Sequence, residues 1–517
     1  MKKNRLVRFT SGLVIALLMA GCNGQEERKE EEILSGHDTR EILRIADTQS
    51  PTSLDPAQSW DSWYTSRWGI TETLFRLDEN LEPQPYLVER YEMIDPTTWK
   101  LVLKEDITFH NGKVLNAEAV KLSWERTKEI NARFEELTYI EDMTAEGLTL
   151  TVITTDPVPA FINALAEPIT GIIDVTSEEN PAIKPIGTGP FQAVSYEVRT
   201  RAEVEKYDEY WGGEPEIDGA EIRIIGDTST LAMAQQSGEI DVSVSMPSTS
   251  LELFSDAERY NVQGVPGSRA QILFLNFEKD AIKELAVRKA LSMIIDKESY
   301  AKILNKNASV KATGLYPDFM DFGVTEGYAY NMEEAMRILD DAGITDSNGD
   351  GVREIAGENI SLKLVTYSTK AELPNYANSV SSAAKEAGIE ILVEVHESVS
   401  EYQKSGDFDL MLVSFTMVPT GDPQYFANIA FRTEGSSNYG KYSSSEVDQL
   451  IAELETEFDK TRRTEKAKMI QEKILEDAAY IVIGHAKYYY VMNEKVKGLH
   501  TNPSEYYLLD AQVSIEK

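Results

Sequence analysis

The scarcest residue in this chain of 517 is cysteine, which occurs once, as Cys22. A single thiol can form neither an intramolecular disulfide nor a metal cluster of several cysteines. Histidine is also scarce, and its five residues form no His-x-His or His-Glu-x-x-His pair. We therefore expect no histidine-based metal site and no resident cofactor.

Motifs of catalysis are missing as well. Gly187, Gly189 and Pro190 form a glycine-rich turn, but the Lys and Ser/Thr of a phosphate loop do not follow it. No Gly-x-Ser-x-Gly nucleophile elbow is present. The segment 346–351 (DSNGDG) begins like a calcium loop, but Gly357 stands where that loop needs Glu, which favours a plain turn. We expect a protein that is not an enzyme.

Positive charge is in deficit. The 51 Lys and Arg residues face 87 Asp and Glu residues, which leaves a net charge of −36. An acidic surface repels phosphate backbones, so we expect no nucleic-acid partner. Apolar residues make up 42% of the chain, enough for globular packing, and the length exceeds what one hydrophobic core supports. Two or three lobes are therefore expected.

No apolar run reaches the roughly 20 residues that span a bilayer. The run Leu13–Ala20 follows a basic N-terminus and is typical of a signal peptide. It leads into Met19-Ala20-Gly21-Cys22, which resembles the bacterial lipobox, although Leu is usual where Met19 stands. We predict a lipoprotein signal peptide over 1–22, a lipid anchor at Cys22 and a flexible acidic tether over 23–41. The alternative is an ordinary signal peptide with an incidental cysteine.

Strand and helix patterns alternate from residue 42 onwards, which predicts an α/β fold. The residues 42–47 read as a strand, and 284–304 as one long amphipathic helix. A second long helix is expected over 446–478, capped by Ser445. The residues 478–492 read as a pair of strands.

Six segments in a fixed order resemble solute-binding protein family 5, the peptide/nickel branch of extracellular solute-binding proteins. The longest contains an acidic turn, a proline-rich loop, a Trp-led strand, a Phe-His-Asn-Gly turn and an amphipathic helix. Each segment alone is a weak signal, but their order makes the resemblance specific. The segments are 50–59, 74–126, 186–191, 207–225, 237–242 and 284–300.

The resemblance implies a periplasmic-binding-protein-like fold with two hinged α/β lobes and a third, inserted lobe. It assigns 42–75, 183–272 and 487–517 to lobe I, 76–182 to lobe II and 273–486 to lobe III. It also implies a substrate-binding lipoprotein of an ABC importer on the outer face of the cell membrane. Such a protein binds a peptide or similar small solute in a cleft between lobes. Its partners would be permease subunits with a cytoplasmic ATPase.

Two alternatives stay open: a nickel or metal-chelate binder of the same family, and a surface receptor that senses peptides. Peptide binders of the family usually carry Asp where this chain has Pro419. Nickel binders carry Trp in place of Met417 and Arg in place of Ile169. Neither standard anchor is present, and the breadth of the family favours a peptide-like solute.

Clustered aromatic residues mark the candidate cleft. Four large rings occur within nine residues from Trp60 to Trp68, and one core cannot bury them all. The segment 415–426 is expected to run along the cleft, and three arginines could hold a carboxylate, although core packing or surface exposure is the usual role of such residues. The candidate ligand-binding residues are Trp60, Trp63, Tyr64, Trp68, Arg133, Phe134, Arg269, Met417, Asp422, Tyr425 and Arg432.

Replacing Cys22 tests the predicted anchor. In Cys22→Ala the only lipid acceptor is gone, so most of the protein should leave the membrane fraction and appear in the medium. Immunoblots of both fractions, with labelled palmitate as a second readout, measure this. A variant that remains fastened to the cells would contradict the prediction.

Overall fold

The described residues of the computed structural model are 40–244, 246–370 and 372–516. The predicted signal peptide, Cys22 and the predicted tether up to Thr39 lie outside them. Glu41, the last residue of that predicted tether, is held by the folded body. Its backbone N–H donates to Asp218 Oδ2 at 2.8 Å, and its carbonyl accepts from Asp218 N at 3.0 Å.

Strands and helices alternate along the described chain, as the α/β pattern predicts. The strands are β1 (Ile42–Asp47), β2 (Phe75–Leu77), β3 (Pro83–Pro85), β4 (Val88–Asp95), β5 (Thr98–Leu103), β6 (Ile140–Glu146), β7 (Thr149–Thr154), β8 (Phe191–Glu197), β9 (Arg201–Lys206), β10 (Gly219–Ile224), β11 (Val242–Ser243), β12 (Tyr260–Leu275), β13 (Ser309–Lys311), β14 (Glu354–Ile355), β15 (Glu358–Asn359), β16 (Ser361–Tyr367), β17 (Glu390–His396), β18 (Leu410–Thr416), β19 (Tyr480–Asn493), β20 (Val496–Lys497) and β21 (Ser514–Ile515). The α-helices are α1 (Ser62–Arg67), α2 (Ala117–Ile130), α3 (Ala132–Thr138), α4 (Phe161–Ala164), α5 (Thr228–Ser237), α6 (Asp280–Lys283), α7 (Leu285–Met293), α8 (Lys297–Ser299), α9 (Met332–Asp341), α10 (Glu372–Glu386), α11 (Ser400–Ser405), α12 (Gln424–Phe431), α13 (Ser445–Glu455) and α14 (Lys460–Glu476).

One large mixed sheet forms the frame of the two main lobes. Its strand order is β17-β16-β18-β12-β19-β11-β1-β10-β9-β8, and β13 also pairs with β19. The strands β11, β1, β10, β9 and β8 belong to the predicted lobe I. The strands β16, β17 and β18 belong to the predicted lobe III.

Two long antiparallel strands, β12 and β19, connect these halves. They pair from Tyr260 opposite Asn493 to Phe274 opposite Tyr480, and their register breaks between Pro266 and Ala270. The extra residues form a bulge, which bends a strand and redirects its side chains. Arg269 lies in this bulge, so the irregularity of the crossover sets the direction of its guanidinium.

The predicted lobe II, residues 76–182, contains a sheet of its own. Four antiparallel strands follow the order β4-β5-β7-β6, and α2 and α3 pack beside them. The face of β5 that carries Trp99, Leu101 and Leu103 is buried, as its alternating pattern predicts. The start of α3 is held by Asn131, whose side-chain amide donates to Ala57 O at 3.2 Å and to Ser59 O at 3.0 Å and so places Arg133 near Trp60.

Three predicted elements are wrong in their extent. The helix expected over 284–304 stops at Met293, because the Asp296 side chain caps a new turn by accepting from Ser299 N. The helix expected over 446–478 is interrupted: Ser444, not Ser445, is its N-cap, and Asp459 caps α14 as a second helix. The strand pair expected near the C-terminus is the single strand β19.

The glycine-rich turn at 187–189 packs its backbone closely against residues of the predicted lobes I and II. Gly189 N donates to Ile70 O at 3.1 Å, and His110 N donates to Gly187 O at 2.9 Å. The His110 ring accepts from Gly187 N through Nδ1 at 3.2 Å and contacts Gly189 O through Nε2 at 3.0 Å. Burial lowers the pKa of His110 to about 4, so the ring stays neutral in this role.

Glycine is required at position 187 by space. A Cβ there would lie 2.0 Å from Ile70 O, so Gly187→Ala should lower the free energy of unfolding by about 2 kcal/mol or more. A Cβ at Gly226 would meet no atom within 4 Å, and Gly226→Ala should change that energy by less than about 0.5 kcal/mol. Urea unfolding of both variants measures the difference, and equal stabilities would contradict the packing described here.

Candidate functional site

The two lobes and the C-terminal segment meet beside the bulge in β12. Ser268 N donates to Pro503 O at 3.2 Å, and Met417 N donates to Ser268 O at 2.8 Å. Tyr506 reaches across, and its hydroxyl donates to Pro419 O at 2.7 Å. The crossover, the end of β18 and the segment 503–509 therefore enclose one region, where buried charges collect.

Two ion pairs lie in this region. Arg269 donates to the Glu505 carboxylate through Nε at 3.1 Å and NH2 at 3.4 Å. Arg67 pairs with Asp47 at 3.4 Å and donates through Nε to Glu505 O at 3.0 Å. Glu505 has a left-handed backbone conformation (φ 66°), which is uncommon for a side chain of its size. The fold thus holds this carboxylate in place at a cost in backbone strain.

Lys370 adds a third cation at the end of β16. Within the described parts of the chain, no carboxylate oxygen lies within 4 Å of its ammonium. Burial, and then the Arg269 guanidinium, lowers the pKa of Lys370. Burial opposes ionisation of Glu505, but Arg269, Arg67 and Lys370 outweigh it and lower the pKa of that carboxyl. Glu372, Glu505 and Asp47 act against that lowering of the Lys370 pKa, so three carboxylates balance the three cations in number, and Lys370 is the cation with no carboxylate oxygen in ion-pair contact among the described residues.

Polar side chains without partners share the face of the sheet that carries Arg269. Arg269 and Gln271 are two residues apart on β12, and Gln271 lies opposite Ser414 on β18. The oxygens Gln271 Oε1 and Ser414 Oγ are buried and have no hydrogen-bond partner in the described chain. Buried polar atoms are normally paired. These atoms are available to a polar group that enters beside Arg269.

An aromatic cluster lies on the other side of Tyr506. Trp63 packs edge-on against Tyr506, with 5.0 Å between ring centroids, and Trp60 packs against Trp63 at 5.3 Å. The guanidinium of Arg133 lies 3.9 Å above the Trp60 ring. About half of the Trp60 surface stays exposed, whereas Trp63 and Tyr506 are buried. This arrangement presents one accessible aromatic face beside a cation.

Glu167 is the counter-ion of Arg133 and is fully buried. Its Oε1 accepts from Trp63 Nε1 at 2.6 Å and from Arg133 NH1 at 2.7 Å. Its Oε2 accepts from Ile169 N at 2.6 Å, and NH2 of Arg133 lies 3.5 Å away. The Nε–H of Arg133 is buried and has no partner in the described structure. Glu167 takes two of the five guanidinium N–H groups of Arg133, and Nε–H is one of the three that it leaves.

The structure brings together six of the predicted site residues in this region. Tyr64 packs against Arg67, whose guanidinium lies 5.4 Å from the Tyr64 ring. Tyr425 lies near Arg133, and burial raises the pKa of Tyr425 to about 12. The six are Trp60, Trp63, Tyr64, Arg133, Arg269 and Tyr425.

The remaining five predicted residues have structural partners. Trp68, Phe134 and Met417 are fully buried in hydrophobic cores, because α1, α3 and the end of β18 present them inwards. Asp422 pairs with the buried Arg463 at 2.7 Å, and Arg432 pairs with Glu455 at 2.6 Å. Solute contact by any of the five would require those interactions to be shared or broken.

Eight residues of the site were not predicted from the sequence: Asp47, Arg67, Glu167, Gln271, Lys370, Ser414, Glu505 and Tyr506. They come from distant parts of the chain, and the fold alone brings them together. The only local signal is the acidic Glu505 within an aromatic stretch, Ser504-Glu505-Tyr506-Tyr507, in a segment otherwise read as lobe I.

A cavity of about 390 Å³ lies apart from this region, between the predicted lobes II and III. Its lining includes Asn163, Met320, Asp422 and Arg463. Lys460 and Glu82 form an ion pair across its rim at 2.7 Å. The Asp422–Arg463 pair belongs to this cavity and not to the cluster around Arg269.

The family of this chain follows from its match to a known protein family. The family described as "Bacterial extracellular solute-binding proteins, family 5 Middle" matches residues 82–438, well over half of the chain. The chain belongs to this family. The sequence resemblance is thereby confirmed, and with it the α/β fold of two lobes.

Individual relatives of the family match the chain over almost its whole length. The nickel-binding protein NikA of Staphylococcus aureus is 27% identical, and the alignment covers all of both chains. Its crystal structure in complex with Ni(L-His)2 has a TM-score of 0.80 and covers 92% of this chain and 100% of that one. A nickel ABC transporter structure from Bacillus halodurans is 31% identical, with a TM-score of 0.78 and coverage of 92% and 99%. The oligopeptide-binding protein AppA of Bacillus subtilis is 24% identical over 97% of each chain.

The described residues lack two further features. No helix there combines the length and the apolar character that crossing a membrane requires. No group of three or more His, Cys, Asp or Glu side chains there is arranged to hold a metal ion.

Proposed function

We propose that this family 5 protein is the substrate-binding lipoprotein of an ABC importer, and that its solute is built from amino acids and held by a carboxylate. The observation that carries the proposal is the Lys370 ammonium, which lies beside Arg269 and has no carboxylate oxygen within 4 Å among the described residues, whereas Arg67 and Arg269 are paired with Asp47 and Glu505. A partly buried cation without an ion-pair partner is costly, and a solute carboxylate beside Lys370 would relieve that cost.

The same region suits the amino group of such a solute. Glu505 is ionised, and the unpartnered Gln271 Oε1 and Ser414 Oγ can accept hydrogen bonds from an ammonium or amine. A solute with a carboxylate and an amine a few bonds apart could therefore bind both groups on one face of the sheet. The cations would pair with the carboxylate, and the acceptors would bond the amine. Nothing in this binding needs a covalent step.

Two solutes share this chemistry. Metal complexes of amino acids are the first to test, because the relatives from S. aureus and B. halodurans carry nickel in their names and match over nearly their full lengths. Short peptides are the second, supported by the similarity to AppA. For a chelate, the protein would hold the organic ligand through its carboxylates.

Closure and delivery follow from the connection between lobes. The crossover strands β12 and β19 join the lobes, and Tyr506–Pro419 is a contact between lobe I and lobe III. A solute that contacts both sides would favour the closed arrangement, which the permease of an importer can recognise. Lipidation at Cys22 would keep the protein at the outer face of the cell membrane.

Calorimetric titration with matched probes tests the carboxylate. The probes are nickel with L-histidine against nickel with histidinamide, and Ala-Ala-Ala against its C-terminal amide. We expect one acid probe to bind at least tenfold more tightly than its amide, because a charge-assisted hydrogen bond contributes about 1.5–3 kcal/mol. Lys370→Gln should remove most of that preference.

Lys363→Gln is the matched control for this experiment. Lys363 lies on β16, the strand that precedes Lys370 in the chain, and pairs with the exposed Asp407 at 2.7 Å, so its replacement should leave binding unchanged. Equal affinity for acids and amides, or an unaltered preference in Lys370→Gln, would contradict the proposal. Failure of every probe to bind would contradict the proposed class of solute.

A further inference from the structure

The Arg133–Glu167 pair differs from the Arg269 cluster in how its charges are paired. Arg133 and Glu167 cancel each other in direct contact, whereas Lys370, beside Arg269, has no carboxylate oxygen within 4 Å in the described chain and can pair with an incoming anion. Tyr506 lies between the two, since Glu505 precedes it and Trp63, a donor to Glu167, packs on its ring. A solute that extends past Tyr506 would meet a charged end and a neutral end.

The pair leaves one defined contact for a ligand. Both terminal nitrogens of the Arg133 guanidinium face Glu167, and one face of the guanidinium is covered by Trp60 at 3.9 Å. Of the three N–H groups that Glu167 leaves, Nε–H is buried and has no partner in the described chain, on a side chain that is nine-tenths buried. Buried donors of this kind are normally hydrogen-bonded to an acceptor. The half-exposed indole ring of Trp60 lies beside it and can pack against a flat group of a ligand.

We infer that Arg133 Nε–H and Trp60 form a subsite for an uncharged hydrogen-bond acceptor of the solute, and that Glu167 makes this subsite reject a second anion. The inference rests on the proposed function and specifies its solute. One end of the solute carries a carboxylate, and the other end presents a neutral acceptor, such as an amide oxygen or an imidazole nitrogen. Polycarboxylate chelates and acidic side chains are excluded from the Arg133 end.

The exclusion follows from how firmly Glu167 is fixed. Three donors, from Trp63, Arg133 and the backbone of Ile169, hold its carboxylate at 2.6–2.7 Å, so it cannot turn away from an incoming anion. A second carboxylate at Arg133 would share one cation with Glu167 and would lose its own hydration. A neutral acceptor meets the same N–H without like-charge repulsion.

Competition between probes that differ in one group tests the inference. The pairs are Asn-Ala-Ala against Asp-Ala-Ala, and nickel with L-histidine against nickel with EDTA. The wild-type protein should bind the neutral member of the accepted pair at least tenfold more tightly. In Glu167→Gln, which keeps the shape and the hydrogen-bond acceptor, Arg133 gains a free charge, and this ratio should fall at least fivefold or reverse.

A double variant, Arg133→Met with Glu167→Gln, removes both charges and leaves no lone buried ion. It should weaken binding of the neutral member about tenfold, because the Nε–H donor is gone, and it should keep the preference for acids over amides that Lys370 provides. Thermal unfolding of each variant checks the fold. Asp241→Asn is the control, since Asp241 is a buried carboxylate held by Arg44 at 2.7 Å in lobe I, and the ratio should not change there.

The outcomes separate this inference from the function on which it rests. A wild-type ratio near one, or a ratio that Glu167→Gln leaves unchanged, overturns the subsite while acid probes still bind. A wild-type protein that binds no probe of either pair overturns the proposed function, and the subsite with it.

Discussion

The contact between Arg269 and Glu505 is the constraint on which the site depends. Arg269 lies in the bulge of β12, where the chain passes from one lobe to the other, and Glu505 belongs to the C-terminal segment that returns to lobe I. Their ion pair fixes both segments next to the meeting point of the lobes. A buried ion pair stabilises a fold only when its remaining hydrogen-bonding groups have partners. The polar atoms around this pair therefore need hydrogen bonds from the protein or from a bound solute. Gln271 Oε1 and Ser414 Oγ have no partner in the described chain, and they are the atoms that the proposed solute would complete.

Local patterns were sufficient to predict the α/β fold, and ordered motifs were sufficient to predict the family. Period-two and helical patterns depend on which face is buried, which the residues themselves determine. The extents of long elements were harder to predict, as the interruption at Asp296 and the break before Asp459 illustrate. Both breaks are made by a side-chain cap inside a pattern that stays amphipathic across it. A pattern of hydrophobic residues alone therefore does not reveal such a cap.

The site could be predicted only where its residues are unusual in sequence. Trp60 and Trp63 stand out as crowded aromatics, and Arg133 and Arg269 as candidate cations. Glu167 and Lys370 carry no local signal, because their roles arise from neighbours far away in the chain. The same limit explains why Trp68 and Phe134 were included: a buried ring and a ring in a cleft have the same sequence signature.

The proposed site has a neutral end at Arg133 and Glu167 and a cationic end at Lys370, with Tyr506 between them. A solute would therefore bind in one orientation, and solutes with a second anionic group would bind less tightly. The most direct measurement is a crystal structure of the protein grown with nickel and L-histidine, or with Ala-Ala-Ala. The account predicts a solute carboxylate within hydrogen-bond distance of Lys370 Nζ or Arg269, at about 3 Å. A solute found instead in the 390 Å³ cavity beside Arg463, with the region around Arg269 and Lys370 free of it, would contradict the account.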